Sequence, residues 1–343
     1  MRTAFLWTLL IVALSPNVWA SSGDRSTEFE KCLTSCESSR CGANRVSLPI
    51  FLRLTRWTCL DDCKYTCMNE ITTRDILLGD RVQQYYGKWP FWRLAGMQEP
   101  ASVAFSLLNF WAHIRGLAKV RREVPESHPM RPYYIVWGFT GLNAWLWSAV
   151  FHTRDNSTTE KLDYFSAALT IFYALYYSVI RLFHLYPTPR RTRLTLSNPN
   201  PLPVTNPRHK AWSLFCVLVY LGHVSYLTLL PRFDYTYNII FNMIIGLSHN
   251  ALWLVYSLPA SVSIIHRFPG RSKSYRPPFV TKAGIFVGLT TAATALELFD
   301  FPPIVRVIDA HSLWHLATAP IAVLWYDFLV LDARDESWRE NRL

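Results

Sequence analysis

Three histidines, a serine and an aspartate carry the strongest chemical signal in this sequence. Ser148 and His152 are four residues apart, Asp163 follows eleven residues later, and His311 and His315 repeat the spacing of four. That spacing puts each pair on one face of a helix. A histidine pair one turn apart can grip a single metal ion, and a third imidazole from another helix completes a three-ligand set. Zinc held by three protein ligands keeps a fourth position for water, the mark of a catalytic site. Asp163 would take the proton of that water and return it to a leaving oxygen. Ser148 would orient the water or donate to a developing oxyanion, and exchanging the roles of Ser148 and Asp163 fits equally well. Each residue also has a plain structural reading. A helix-end histidine can snorkel, Asp163 can cap a helix, and Ser148 can bond back to a helix carbonyl.

The elements that must position them are long and apolar. Half of the 343 residues are hydrophobic. Residues 1–20 read as a secretory signal peptide, with Arg2, an apolar run from Ala4 to Leu14 and a small residue, Ala20, at the cut; a retained anchor is the alternative. Seven later stretches read as transmembrane helices: Ala101–Leu117, Tyr133–His152, Asp163–Phe183, Ala211–Leu230, Tyr235–Leu258, Phe279–Phe299 and Ala310–Leu331. Lys and Arg concentrate after the first, third and fifth spans (Lys119, Arg121, Arg122; Arg190, Arg191, Arg193; Arg271, Lys273, Arg276) and in the tail. The opposite loops hold only Arg154, Lys161, Arg232 and Arg306. The excess of positive charge therefore places the tail in the cytosol and the amino-terminal region in the lumen. The net charge of +11 reflects topology, with some attraction to anionic cytosolic lipid. No clustered basic reading element argues for nucleic acid, and no nucleotide-binding fingerprint is present. In this topology all five site residues fall at the lumenal ends of their spans, within about two turns in depth. Ionisable groups at such depth are costly unless paired or used, which favours a metal site.

Six of the seven cysteines lie in residues 21–100. Behind a signal peptide the compartment is oxidising, so disulfides are expected ahead of a structural zinc site. Cys32 and Cys36 share one helix face; Cys59, Cys63 and Cys67 share another. If those helices run antiparallel, nested pairs Cys32–Cys67, Cys36–Cys63 and Cys41–Cys59 would staple them, one of fifteen possible connectivities. A domain of about 80 residues would be marginal without staples. Cys216, inside the fourth span, reads as an unpaired thiol. Asn156-Ser157-Thr158 is a glycosylation sequon on a lumenal loop, and its closeness to two membrane ends argues against occupancy. Asp309 reads as the N-cap of the last span. Glu297 and Asp300 are candidate partners of a ligand histidine, or interfacial acids. His223, Asn242 and His249 fall inside spans, to line a cavity or to bond between helices. His113, His128, His184, His209 and His266 are expected at interfaces or in the cytosol. The Pro-rich stretch Pro187 to Pro207 reads as an extended cytosolic loop. No Gly-x-Ser-x-Gly elbow is present, which disfavours a serine-triad lipase.

Ser148-x-x-x-His152, Asp163 and His311-x-x-x-His315 together resemble the signature of a seven-span hydrolase superfamily that includes alkaline ceramidases and progestin/adipoQ-type receptors. The cysteine-rich head, the run Ser148-Ala149-Val150-Phe151-His152-Thr153-Arg154-Asp155, the run Glu160-Lys161-Leu162-Asp163-Tyr164 and the stretch Gln98-Glu99-Pro100-Ala101-Ser102 resemble one branch, the Per-like family of post-GPI-attachment-to-proteins factor three. The resemblance implies zinc-dependent removal of the sn-2 acyl chain from glycosylphosphatidylinositol (GPI) anchors, a phospholipase A2 type of reaction, with GPI-anchored proteins and membrane lipid as partners. The fold expected is an all-α membrane protein, a seven-transmembrane helix bundle with a small disulfide-stapled lumenal amino-terminal domain. Its parts are a signal peptide (1–20), the lumenal domain (21–100), the hydrolase bundle (101–331) and a cytosolic tail (332–343). The endoplasmic reticulum membrane is the expected location, with the Golgi as alternative. A ceramidase-like amidase, a progestin/adipoQ-type receptor and a non-enzymatic quality-control factor for anchored proteins remain open readings.

Overall fold

Helix boundaries follow caps written into the sequence. The computed structural model describes residues 21–42, 47–186 and 206–335, apart from the side chains of Glu297 and Leu298. The expected signal peptide, most of the Pro-rich loop and the end of the tail lie outside the described residues, as does the side chain proposed for Glu297. Among the described residues there are ten α-helices and no strand longer than an isolated bridge. Three belong to the amino-terminal part: α1 (Thr27–Arg40), α2 (Ile50–Leu54) and α3 (Cys59–Leu78). Seven longer ones follow: α4 (Pro100–Glu123), α5 (Arg131–Thr153), α6 (Ser157–Leu182), α7 (Pro207–Leu229), α8 (Tyr235–Ser257), α9 (Val280–Leu298) and α10 (Ala310–Arg334). These seven correspond to the seven stretches read from the sequence.

The chain divides into two compact units. One holds the described residues up to Gly96 together with Pro302–Val307; the other holds Met97–Phe301 and the chain from Ile308 onward. In the first unit Thr58 and Asp61 form a capping box at the start of α3, and Gly79 ends that helix with φ of 77°. All three disulfides take the nested pairing: Cys32–Cys67, Cys36–Cys63 and Cys41–Cys59, with Cα separations of 5.7–5.8 Å. Cys41, Cys59 and Cys63 also lie close enough together to hold a metal, but their sulfurs are spent in disulfides. The staples close around a small core of Phe29, Cys67, Ile71 and Tyr85.

In the second unit α4 packs on α5 and α10, α5 on α6, α6 on α8, α8 on α9 and α9 on α10. The helices thus close a ring, with α7 packed chiefly against α6. Four of them, α6, α7, α8 and α10, are long and apolar enough to cross a membrane, and Val280–Leu296 within α9 is a shorter apolar stretch. α4 and α5 are less apolar: α4 carries Asn109, His113, Arg115 and Lys119, and α5 is rich in Trp and Tyr. Side chains including Trp137, Tyr177, Trp253, Trp325, Tyr326 and Phe328 fill part of the ring as one buried cluster. At one end sits a buried ion pair. Arg181 of α6 grips Asp332 of α10 with both Nε (2.7 Å) and Nη2 (2.8 Å), and Tyr256 of α8 donates to the same carboxylate at 2.7 Å.

Two expectations change here. Asp163 does not open its helix. Asn156 caps α6 instead, its side chain accepting from the Thr158 and Thr159 amides, so Asp163 lies on the second turn. Polar residues before an apolar run still form helix when a cap precedes them, and hydropathy alone misses that turn. His113, expected at an interface, is buried and 2.9 Å from the Tyr326 hydroxyl. Gly116 and Gly141 allow these rings to approach; a Cβ on Gly116 would lie 2.0 Å from the Tyr326 ring.

Candidate metal centre

The three histidines meet within the second unit. His152 comes from the last turn of α5, and His311 and His315 from the first two turns of α10. The expected cap of that helix is present: Asp309 and Ser312 form a capping box that fixes where α10 begins. His311 Nε2 lies 2.9 Å from His315 Nε2 and 3.3 Å from His152 Nε2. One ligand atom from each falls within 4.8 Å of the other two. His152 and His315 are buried, and His311 is partly exposed. Trp145 packs edge-on against His315, and Trp314 packs against His311.

The far side of the imidazoles is held as well. Glu99, buried just before α4, places Oε2 2.7 Å from His152 Nδ1. Its own amide donates to the His152 carbonyl at 3.0 Å, so this segment is pinned along the end of α5. Ser106 of α4 lies 2.9 Å from His315 Nδ1, 3.0 Å from Ser148 Oγ and 2.7 Å from the Ser102 carbonyl. Asn109 donates to the His315 carbonyl at 2.6 Å. Only one assignment of hydrogens satisfies all of these contacts when His315 offers Nε2 to a ligand. His315 Nδ1–H donates to Ser106, the Ser106 hydroxyl donates to Ser102, and Ser148 donates to Ser106.

This bonding tests whether a metal fits. With Nδ1 of His152 facing a carboxylate and Nδ1 of His315 facing Ser106, both Nε2 atoms present lone pairs. His311 Nε2 lies between them and can donate a hydrogen to only one. At least one lone pair then faces a neighbouring nitrogen without a proton between them, an arrangement a cation relieves. A carboxylate–histidine pair behind the ligand is also how metal-binding imidazoles are oriented and made more basic. His152, His311 and His315 therefore form a donor set that suits a metal.

The remaining expected residues divide. Ser148 is buried and joined to the centre through Ser106. Asp163 is partly buried on α6 and lies outside the group of converging ligand atoms. Asp300, a candidate histidine partner, is exposed; Glu99 fills that position. Asn156 serves as the α6 cap. His223 is buried against Phe241, ring centroids 3.9 Å apart, with neither ring nitrogen hydrogen-bonded. Cys216 is buried and unpaired, as expected.

Residues 49–333 match the Per1-like family. The chain belongs to the Per1-like family. Relatives match this Per1-like chain over nearly all of their length. The GPI-specific phospholipase A2-like PGAP3 of Cricetulus griseus is 38% identical over 97% of this chain and 95% of its own. That of Xenopus laevis is 36% identical over 96% and 94%. The PER1 homolog of Schizosaccharomyces pombe is 37% identical over 95% and 91%. No solved structure matches.

Within this Per1-like chain, Glu99, Ser106 and Asn109 are the site residues that motif reading passes over. A signal for two of them is present. Ser102, Ser106, Asn109 and His113 recur at helical spacing along α4, a polar stripe in a helix of the bundle, and all four are buried. Replacing Glu99 with Gln keeps the shape but removes the carboxylate charge behind His152. Metal affinity is expected to fall about 10- to 100-fold, measured by competition with a chelator on purified protein.

Proposed function

We propose that this chain is a GPI-anchor remodelling enzyme, a zinc-dependent hydrolase that removes the sn-2 acyl chain of the anchor's phosphatidylinositol. The observation that carries this reading is the convergence of three imidazole Nε2 atoms, with Glu99 behind His152 and Ser106 behind His315. The names of the relatives, among them GPI-specific phospholipase A2-like proteins, support the choice of substrate. In this reading all seven long helices span the membrane of the endoplasmic reticulum, with the stapled unit in the lumen and the tail in the cytosol. GPI-anchored proteins occupy that lumenal leaflet, and their ester bonds lie where headgroups meet hydrocarbon.

Zinc, when bound, supplies a water of lowered pKa and polarises the ester carbonyl. His152, His311 and His315 would hold it, with Glu99 fixing the tautomer of His152 and Ser106 that of His315. Asp163 would serve as general base and then general acid, taking a proton from water and giving it to the lysolipid oxygen as the acyl carbon–oxygen bond breaks. Ser148, 3.0 Å from Ser106 Oγ, orients the water or donates to the developing oxyanion, and exchanging its role with that of Asp163 fits equally well. Asp163→Asn protein is expected to keep its metal and lose deacylation.

Lipid analysis of GPI anchors from cells lacking this protein tests the substrate. Persistence of the original unsaturated sn-2 chain is the expected result. Unchanged anchors with accumulated ceramide would replace this reading with the amidase.

A further inference from the structure

The stapled unit exposes an apolar rim. Helix α2 buries Leu52 and leaves Phe51 and Leu54 exposed. Gly96 lies so close beneath α2 that a Cβ there would be 2.8 Å from the Phe51 carbonyl. Two residues earlier, Leu94 is 61% exposed. The rim continues through Trp92, whose amide donates to the Arg306 carbonyl at 2.9 Å and whose ring lies 4.1 Å from the Arg306 guanidinium carbon. Next to Arg306, Ile304 and Val305 are exposed, Val305 by 80%.

Val305 is not exposed by accident of a loose loop. Its φ is 53° and that of Arg306 is 59°, a left-handed conformation that a β-branched residue adopts only when its surroundings impose it. The imposing contact is Arg306, buried and bonded to the Pro90 carbonyl (2.8 Å), Thr73 Oγ1 (3.2 Å) and Asn69 Oδ1. The backbone thus accepts strain that turns Val305 outward.

Chain connectivity limits what can cover this rim. Gly96 is four residues from Pro100, where α4 begins, and Val307 is three residues from Ala310, where α10 begins. Leu94 and Val305, on the rim, are six and five residues from those two helix starts, so the segments that carry them are tethered to the bundle by short links. Exposed Arg53 and Arg56 stand beside Leu54, placed to meet lipid phosphates. Large apolar side chains exposed on one unit mark an interaction surface, and the adjacent arginines together with the short links to two bundle helices select the bilayer as occupant. We infer that Phe51, Leu54, Leu94, Ile304 and Val305 seat the stapled unit in the headgroup–hydrocarbon boundary of the lumenal leaflet. This rests on the topology given under Proposed function.

The test uses full-length protein in lipid nanodiscs, in a Cys216→Ser background. Leu54→Cys, Leu94→Cys and Val305→Cys variants each carry an NBD fluorophore, and peptide mapping checks that the three disulfides are intact. A lipid nitroxide near the headgroup is expected to quench all three labels, and aqueous iodide to quench them several-fold less than the free dye. Iodide quenching equal to that of the free dye overturns the inference. So does a label reached by neither quencher, which would place protein over the rim. Leu54 sits on a different element from Val305, so misfolding of one variant leaves the other informative. Metal content and deacylation of the same samples report on the hydrolase reading separately, and either result can fail alone.

Discussion

Purified His315→Ala protein is expected to lose its metal and its deacylation together while remaining folded. His315 Nε2 is 2.9 Å from His311 Nε2, and its Nδ1 is held by Ser106, so removing this imidazole deletes one of three donors and idles the bonds behind it. A metal's contribution to stabilising transition-state charge is several kcal/mol, and each tenfold in rate corresponds to about 1.4 kcal/mol. Deacylation should therefore fall roughly a hundred- to a thousandfold. The measurements are zinc per protein by elemental analysis and lysolipid release from a GPI substrate. Full metal content with normal deacylation would sink the site. Unfolding on metal loss would instead make the ion a structural clip. His113→Phe is the useful comparison, since His113 is equally buried but contacts Tyr326, and its loss should spare the metal.

The second large effect lies at the other end of α10. Asp332→Ala leaves Arg181 buried with its counter-charge gone. Arg181 also donates to the Arg267 carbonyl at 2.9 Å, and Arg267 donates to the Tyr256 carbonyl at 2.7 Å. One substitution therefore disturbs α6, α8, the segment after α8 and α10. Stranding one partner of a buried pair costs about 3–5 kcal/mol, visible as a lowered Tm of the detergent-solubilised protein. The half-exposed pair Lys119–Asp327 is the contrast; its removal should cost about 1 kcal/mol or less. Equal effects of the two substitutions would show that Arg181 finds another partner or water.

Much of the fold was legible because apolar runs and caps are local. The seven long helices coincide with the stretches read from the sequence, four of them apolar enough to cross a membrane, with Asp309 as the last cap, because a cap and the run it begins lie within a few residues. The first turn of α6 was missed because its polar residues are helical through the Asn156 cap, not through hydropathy. The disulfide pairing was conditional on antiparallel packing of α1 and α3, which spacing suggests but only the fold supplies.

By itself the sequence determined which residues could bind a metal, since i, i+4 spacing on a helix fixes which side chains share a face. It also determined which ends of the helices those residues occupy. Only the tertiary structure decided that the three imidazoles converge. It alone supplied Glu99 behind His152 and Ser106 between His315 and Ser148. These partners come from α4 and the residue before it, some 40 to 200 residues away. No periodicity within a helix encodes a contact across the ring, because that contact depends on how neighbouring helices are rotated and offset when their buried faces pack.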